Sequence, residues 1–258
     1  MTDLSRSRPL VGITCNIDGP SHACRRGYAD AVLRAGGLPL LLPAPDPDAL
    51  ADADLADHTA DLLARLDAVV TTGGDDPIME PFGEPTHPAA TPVHPDRQRF
   101  ELAIARRLVD PAAPPVPALA VCLGMQYLAL ATGGTIRQHL HDELGDDAAE
   151  AHRGDRLHAV APPPDVGPGP GNDPLADLLP AGTVNSHHHQ AVGNAGACRV
   201  RLISEPDGVV EAVVHPARPF VVGVQWHPER MPGERGAGPL GLGLFRRLVE
   251  AARGTVRP

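Results

Sequence analysis

The chain contains no lysine. All 22 of its basic residues are arginine, which excludes a Schiff-base lysine and the phosphate-clamping lysine of a P-loop. Positive charge is in short supply overall: 32 acidic residues bring the formal net charge to −10 and the pI to about 5.6. With aromatics at only 3% of residues, the basic, aromatic-studded footprint of a nucleic-acid binder is missing. No apolar run approaches the roughly 20 residues that span a bilayer. The opening MTDLSRSRPLVG carries neither an apolar h-region nor a small-residue cleavage site. These absences predict a soluble, cytoplasmic protein with no nucleic-acid and no membrane partner. Cysteine is scarce as well. Cys15, Cys24, Cys122 and Cys198 form no CxxC pair and no zinc-type spacing, and a chain of this size builds a core without disulfides. Cys15 and Cys198 sit in alternating apolar stretches and read as small buried hydrophobes. Cys24 carries no signal. Cys122 stands apart because of its neighbours.

What is abundant is small or structure-punctuating: 37 Ala, 27 Gly and 30 Pro. Between the Gly and Pro clusters, short apolar runs alternate with helical patterns, the signature of a parallel sheet covered by helices. Strands are expected at 9–15, 38–43 and 66–74, and helices at 22–35, 47–65 and 97–109. Gly36-Gly37 stops the first helix, and Arg97 and Glu101 pair at i, i+4 in the third. The Pro- and His-rich segment 75–96 reads as a loop, and 116–134 as a strand running straight into a helix. The Pro/Gly-rich stretch 161–174 reads as a surface loop. Three successive strands at 199–204, 208–215 and 219–226, partly antiparallel, precede a last amphipathic helix at 240–253. There is no internal repeat and no boundary, so one domain is expected over 1–258.

Two constellations carry chemistry. In Ala120-Val121-Cys122-Leu123-Gly124-Met125-Gln126 an apolar strand delivers Cys122 to a sharp turn that opens a helix, the cysteine counterpart of a nucleophile elbow. There the helix dipole and unpaired N–H groups favour a thiolate, and the same N–H groups, beginning with that of Leu123, can hold an oxyanion. In Gly223-Val224-Gln225-Trp226-His227-Pro228-Glu229 positions i and i+2 of an extended segment point the same way. Glu229 can therefore bond one imidazole nitrogen of His227 and leave the other to exchange a proton with a thiol. A His-x-Glu alone is common in solvated turns; beside an upstream elbow cysteine it has a use.

Cys-Leu-Gly-Met-Gln followed about a hundred residues later by Gly-Val-Gln-Trp-His-Pro-Glu resembles the class I glutamine amidotransferase superfamily. Val184-Asn185-Ser186-His187-His188-His189-Gln190-Ala191-Val192, Pro206-Asp207-Gly208-Val209-Val210-Glu211-Ala212, Thr72-Gly73-Gly74-Asp75-Asp76-Pro77 and Asp96-Arg97…Phe100-Glu101 narrow the resemblance to its γ-glutamyl-γ-aminobutyrate hydrolase family. The resemblance runs from about residue 9 to 250. It implies an α/β fold with a flavodoxin-like, mostly parallel sheet flanked by helices, plus C-terminal, partly antiparallel strands. It further implies a Cys122–His227–Glu229 triad, an oxyanion hole from the N–H groups of Leu123 and of Gly74 or Gly73, and substrate contacts from Gly73, Gln126, His188, His189 and Gln190. The activity implied is cleavage of γ-glutamyl amides through a thioester, with no cofactor and a homodimer as a plausible assembly. Two departures bear on the substrate: Leu123 stands where the family often has Arg, and the Thr-Gly-Gly-Asp-Asp-Pro loop is short. A glutaminase subunit feeding ammonia to a synthetase is the alternative, and an inactive scaffold a third reading, although all three triad residues are present.

The His187-His188-His189 run invites a metal reading, but adjacent side chains diverge and no carboxylate or Cys pattern completes a site, so no metal is expected. His139, His141, His152 and His158 lack a helical metal-binding pattern and read as structural or surface residues. Asp75 and Asp76 read as caps or turn formers rather than a catalytic acid pair. Arg97, Arg99, Arg153 and Arg156 are candidates to pair with a carboxylate on the leaving group.

Overall fold

The apolar runs fold as the alternation demands. β1 (Leu10–Thr14) is followed by a short antiparallel hairpin, β2 (Asn16–Asp18) and β3 (Ser21–Ala23), then α1 (Arg26–Ala35), β4 (Leu38–Leu42), α2 (Asp52–Leu63) and β5 (Ala68–Thr71). α3 (Pro95–Val109), β6 (Ala118–Val121) and α4 (Leu123–Ala131) complete the first half. The second half holds β7 (Ile136–Arg137), α5 (Leu140–Leu144), α6 (Asp146–Glu150), β8 (Arg156–Ala161) and β9 (Gly182–Ser186). β10 (Ala191–Val192), β11 (Arg199–Ser204), β12 (Val210–Val214), β13 (Val221–Val224) and α7 (Leu244–Gly254) close the chain. The computed structural model describes residues 8–164, 179–231, 233, 236 and 238–254; most of the loop expected at 161–174 lies outside them.

Five strands are parallel, in the order β4-β1-β5-β6-β13. Counted among themselves in chain order this is 2-1-3-4-5, the flavodoxin-like doubly wound arrangement. Beyond β13 the sheet turns antiparallel through β12, β11, β8 and β9; β12 and β11 are the antiparallel strands expected, and β8 and β9 extend the wing beyond the expectation. Side chains alternate between the faces. Val70, Leu119, Val121, Val222 and Val224 meet Tyr28 and Val32 of α1 and Phe245, Leu248 and Val249 of α7. Val69, Ala118, Ala120 and Val221 meet the opposite layer, where α2, α3 and α4 contribute Leu55, Leu63, Phe100, Ile104, Leu108, Met125 and Leu128. Period-2 alternation of apolar residues on strands buried on both faces is what a helix-covered parallel sheet requires. The helices thus hold the sheet between two cores and leave the carboxyl ends of the parallel strands free to carry loops.

The second helix, expected over 47–65, spans only Asp52–Leu63, and three further departures have a local cause. The helix expected at 22–35 begins only at Arg26, because Asn16–Ala23 fold back as a hairpin around Gly19 and Pro20, with Gly19 at φ 54°. The helix expected at 97–109 starts two residues earlier, with Pro95 in its first turn and the His94 ring accepting the Asp96 N–H as cap; proline is well suited to that place. The last helix is regular only from Leu244, since Gly241 adopts φ −110° and ψ −116°.

Candidate active site

Ligand crevices in open α/β sheets lie beyond the carboxyl ends of the strands, and three parallel strands converge their C-terminal loops there. β5 ends in Thr72-Gly73-Gly74, β6 in Cys122, and β13 in Gln225-Trp226-His227. Cys122 has φ 52° and ψ −107°, a left-handed conformation costly for a residue with a Cβ. It is held there because its N–H donates to the Val224 carbonyl (2.7 Å) while its own carbonyl accepts the Gln126 N–H of α4 (3.1 Å). The helix can follow so closely because residue 124 is glycine: a Cβ there would lie 2.4 Å from Thr71 Oγ1 and 2.7 Å from the Thr71 carbonyl.

His227 and Glu229 meet as their spacing predicts. Imidazole Nδ1 and Glu229 Oε1 are 2.9 Å apart, and the carboxylate is fully buried. Burial alone would lower the pKa of His227; hydrogen bonds to Cys122 and Glu229 outweigh it and hold the pKa up to about 9. The raised value favours the protonated imidazole, with Cys122 on one side and the Glu229 carboxylate on the other. Gln225 Nε2 also lies 3.4 Å from Cys122 Sγ.

The glycine loop has its own supports, which the sequence reading missed. The Gly73 N–H donates to the Tyr28 hydroxyl at 2.9 Å, which leaves the Gly74 N–H, engaged by no hydrogen bond of the described residues. Burial, and then the nearby Glu229 carboxylate, raise the Tyr28 pKa well above its ordinary value. The protonated phenol so couples the glycine loop to the triad carboxylate. Arg97 reaches the wall of the smaller cavity, but its guanidinium is already committed within the protein. It is 1% exposed, pairs with Glu101 Oε1 at 2.8 Å, and donates to the Gly73 carbonyl (3.0 Å) and to Thr72 (3.2 Å to the carbonyl, 3.1 Å to Oγ1). A Cβ on Gly74 would fall 2.2 Å from the Arg97 guanidinium. The i, i+4 spacing signalled the Arg97–Glu101 pair; nothing local signalled that it is buried beneath this loop.

The triad stands at the waist of two adjoining cavities of about 310 and 410 Å³. Gly74, Asp75 and His187 line both. The larger one also meets Cys122, Gln126, Arg153, His189 and Gln190, and the smaller one His227, Tyr28, Asn16, Arg25 and Arg230. Gln126 Nε2 lies 3.5 Å from the Gln190 carbonyl and 3.4 Å from Gln225 Oε1. Gln190 is 1% exposed, with neither side-chain amide atom hydrogen-bonded among the described residues. The three histidines diverge as expected. His187 stacks edge-on to His227 at 6.3 Å. His188 turns inward, its Nδ1 bonded to the Gln190 carbonyl at 2.9 Å. His189 Nε2 bonds Asp76 Oδ2 at 2.8 Å, and Asp76 also accepts the Thr91 N–H, so it is a turn former that anchors the cavity wall. Of the other arginines proposed for the leaving group, Arg99 pairs with Asp52 and Arg156 with Glu150, and neither lines these two cavities, whereas Arg153 lines the larger one.

The Peptidase C26 family pattern matches residues 9–229, so the chain belongs to that family, whose members are glutamine-amidotransferase-like. Among relatives, Rv2859c of Mycobacterium tuberculosis is 34% identical over 97% of this chain and 77% of its own. The γ-glutamyl-γ-aminobutyrate hydrolase PuuD of Escherichia coli K12 is 33% identical over 86% of each chain. The fold is that of solved glutamine amidotransferases. One from Thermotoga maritima aligns with a TM-score of 0.56 at 15% identity, covering 96% of this chain and 95% of that one. The glutaminase domain of Trypanosoma brucei CTPS aligns with a TM-score of 0.55 at 14% identity, covering 97% of this chain and 96% of that one. Family and relatives together support a hydrolase. No helix among the described residues is long and apolar enough to cross a membrane.

Proposed function

We propose that the chain is a stand-alone amidohydrolase that cleaves γ-glutamyl amides through a thioester on Cys122. The observation that carries this reading is the geometry: His227 stands 2.9 Å from the buried Glu229 carboxylate and, with Cys122, lines the two adjoining cavities. The Cys122 thiolate attacks the γ-carbonyl carbon, and the oxyanion is received by the N–H groups of Gly74 and Leu123. His227 then gives its proton to the amide nitrogen; the C–N bond breaks, and the amine leaves with a γ-glutamyl thioester behind. A water enters, loses its proton to His227 and attacks the thioester, releasing glutamate and restoring the thiolate–imidazolium pair. Glu229 orients the ring throughout.

The larger cavity suits the glutamyl half. Its α-ammonium and α-carboxylate would meet Gln126, the His188–Gln190 backbone, the unpaired Gln190 amide and Arg153. The smaller cavity, with Arg25 and Arg230 on its wall, leaves room for an amine larger than ammonia and favours one bearing an anionic group. Contacts to the leaving group raise the rate only if they strengthen in the transition state. The isolated protein should therefore show a higher kcat/KM for γ-glutamyl-γ-aminobutyrate and other γ-glutamyl secondary amides than for glutamine. A clear preference for glutamine, or activity arising only when a synthetase is added, would replace this reading with that of an ammonia-delivering glutaminase.

A further inference from the structure

The antiparallel wing buries a second polar cluster that the proposed reaction leaves unused. His152 follows α6, His158 lies on β8, and Glu211 lies on β12; their side chains are 0%, 5% and 0% exposed. One donor atom from each lies within 4.8 Å of the other two. Glu211 Oε1 is 3.4 Å from His152 Nδ1, 3.2 Å from His158 Nε2 and 3.5 Å from His188 Nε2. Despite these lengths, neither Glu211 oxygen, neither ring nitrogen of His158 nor His188 Nε2 makes a hydrogen bond among the described residues. Close approach without directional bonding is unusual for buried polar atoms. It is the ordinary relation of two ligands of one metal ion: donors about 2.0–2.1 Å from a tetrahedral zinc lie about 3.3 Å apart and aim at the ion rather than at each other. Two of the three outward nitrogens are fastened as metal-bound imidazoles are, whereas His158 Nδ1 has no hydrogen bond among the described residues. His152 Nε2 meets Asp207 Oδ2 at 2.9 Å, and His188 Nδ1 meets the Gln190 carbonyl at 2.9 Å. Among the inward-facing atoms, only His152 Nδ1 has a hydrogen-bonding neighbour, Ser186 Oγ at 3.3 Å.

We propose that His152 Nδ1, His158 Nε2 and Glu211 Oε1 bind one divalent transition-metal ion of the zinc class, with His188 Nε2 as the nearest further donor. Imidazole and carboxylate ligands suit zinc-like ions rather than calcium or magnesium, and a closed, buried set is a structural site. The ion ties together the α6 turn, β8, β12 and the 187–190 segment. That segment supplies His187, His189 and Gln190 to the cavities beside Cys122. Adjacent histidines diverge, which argued against a metal in the sequence; this set is instead gathered from four separate segments.

The test is titration of the full-length Cys122→Ala protein, first stripped with a chelator, with Zn²⁺ alone, by calorimetry and elemental analysis. Removing the thiol keeps the ion from being captured by the triad, and makes the outcome independent of whether Cys122 is a nucleophile. One Zn²⁺ per chain is expected, together with a raised Tm. His158→Ala should abolish binding, and Asp207→Asn should weaken it by about tenfold or more by loosening His152. Should His158→Ala fail to fold, Co²⁺ bound to the Cys122→Ala protein provides the second readout. A d–d spectrum of nitrogen and oxygen ligands in a low-coordinate site is expected, and Asp207→Asn should perturb it. Substoichiometric Zn²⁺, or binding and Co²⁺ spectra unchanged by both His158→Ala and Asp207→Asn, would overturn the proposal and leave a metal-free ion-pair cluster.

Discussion

The parallel half of the sheet and its antiparallel wing each gather buried polar groups, but by different routes. In the parallel half, every member of the proposed triad sits within a few residues of a strand's carboxyl end, so a short local pattern carries it there. In the wing, His152, His158, His188 and Glu211 converge from separate segments onto one carboxylate oxygen, and no local pattern marks them. The first arrangement opens onto two cavities. The second is closed, and its nearest connection to the first is the 187–190 segment that forms part of the cavity wall. Chemistry in this fold is thus written on strand ends, whereas the wing serves to hold one wall of the site.

That contrast predicts that damage in the two regions has different symptoms. Cys122→Ala should abolish turnover, by on the order of 10⁴-fold or more, while circular dichroism and Tm show an intact fold. Iodoacetamide should inactivate the native protein with one label per chain, at Cys122. Glu211→Ala should do the reverse, lowering Tm strongly while Cys122 in the remaining folded protein still reacts with iodoacetamide. Equal loss of stability in both variants would erase the distinction.

Within the triad the losses should be graded. His227→Ala removes the group that protonates the leaving amine and should cost nearly all activity, roughly 10⁴-fold. Glu229→Ala removes an orienting group and should cost less, roughly 10²- to 10³-fold. Kinetics in which Glu229→Ala is silent and Asp75→Ala is not would require a different carboxylate. Arg97→Met probes the support beneath the site: one partner of a buried ion pair is lost, and Glu101 is left uncompensated. Denaturant titration should show a destabilisation of about 3–5 kcal/mol, accompanied by reduced kcat because the Gly73 and Thr72 carbonyls lose their donor.

The smallest effect is the response to pH. His227 is held up to about 9, against 6.5 for a free imidazole. The stability it contributes is fully present below pH 6.5 and is lost as pH rises through about 9. Turnover should follow, because the imidazolium is the acid for the departing amine, so kcat/KM should fall across that upper window. Glu229→Gln should move the fall to lower pH by weakening the hold on the proton. An upper limb that ignored this substitution would assign the titration to another group.

Much of the fold was legible because its signals are local. Glycine and proline punctuate the chain, and residues such as Val69 and Val70 take opposite faces at neighbouring positions. The elbow at Cys122 and the His-x-Glu at 227–229 could be read for the same reason. Asn16–Ala23 could not: it is short and poor in apolar residues, so nothing marks 16–21 as a strand pair, and His22 and Ala23 read as part of the following helix. Arg97 and Tyr28 were placed on helices without their roles, because those roles are long-range contacts with Thr72, Gly73 and Glu229. His152 and His158 read as structural or surface residues, and the wing buries both, an outcome of strand pairing between β8, β11 and β12 that no short window contains.

The central claim is that Cys122 forms a covalent bond to the glutamyl carbonyl. It is tested most directly by acid-quenching the protein during turnover of a γ-glutamyl amide and mapping the adduct by peptide mass spectrometry. The account predicts a γ-glutamyl thioester on the peptide containing Cys122, absent in Cys122→Ala. Steady turnover with no adduct at Cys122, or with an adduct on another residue, would contradict it.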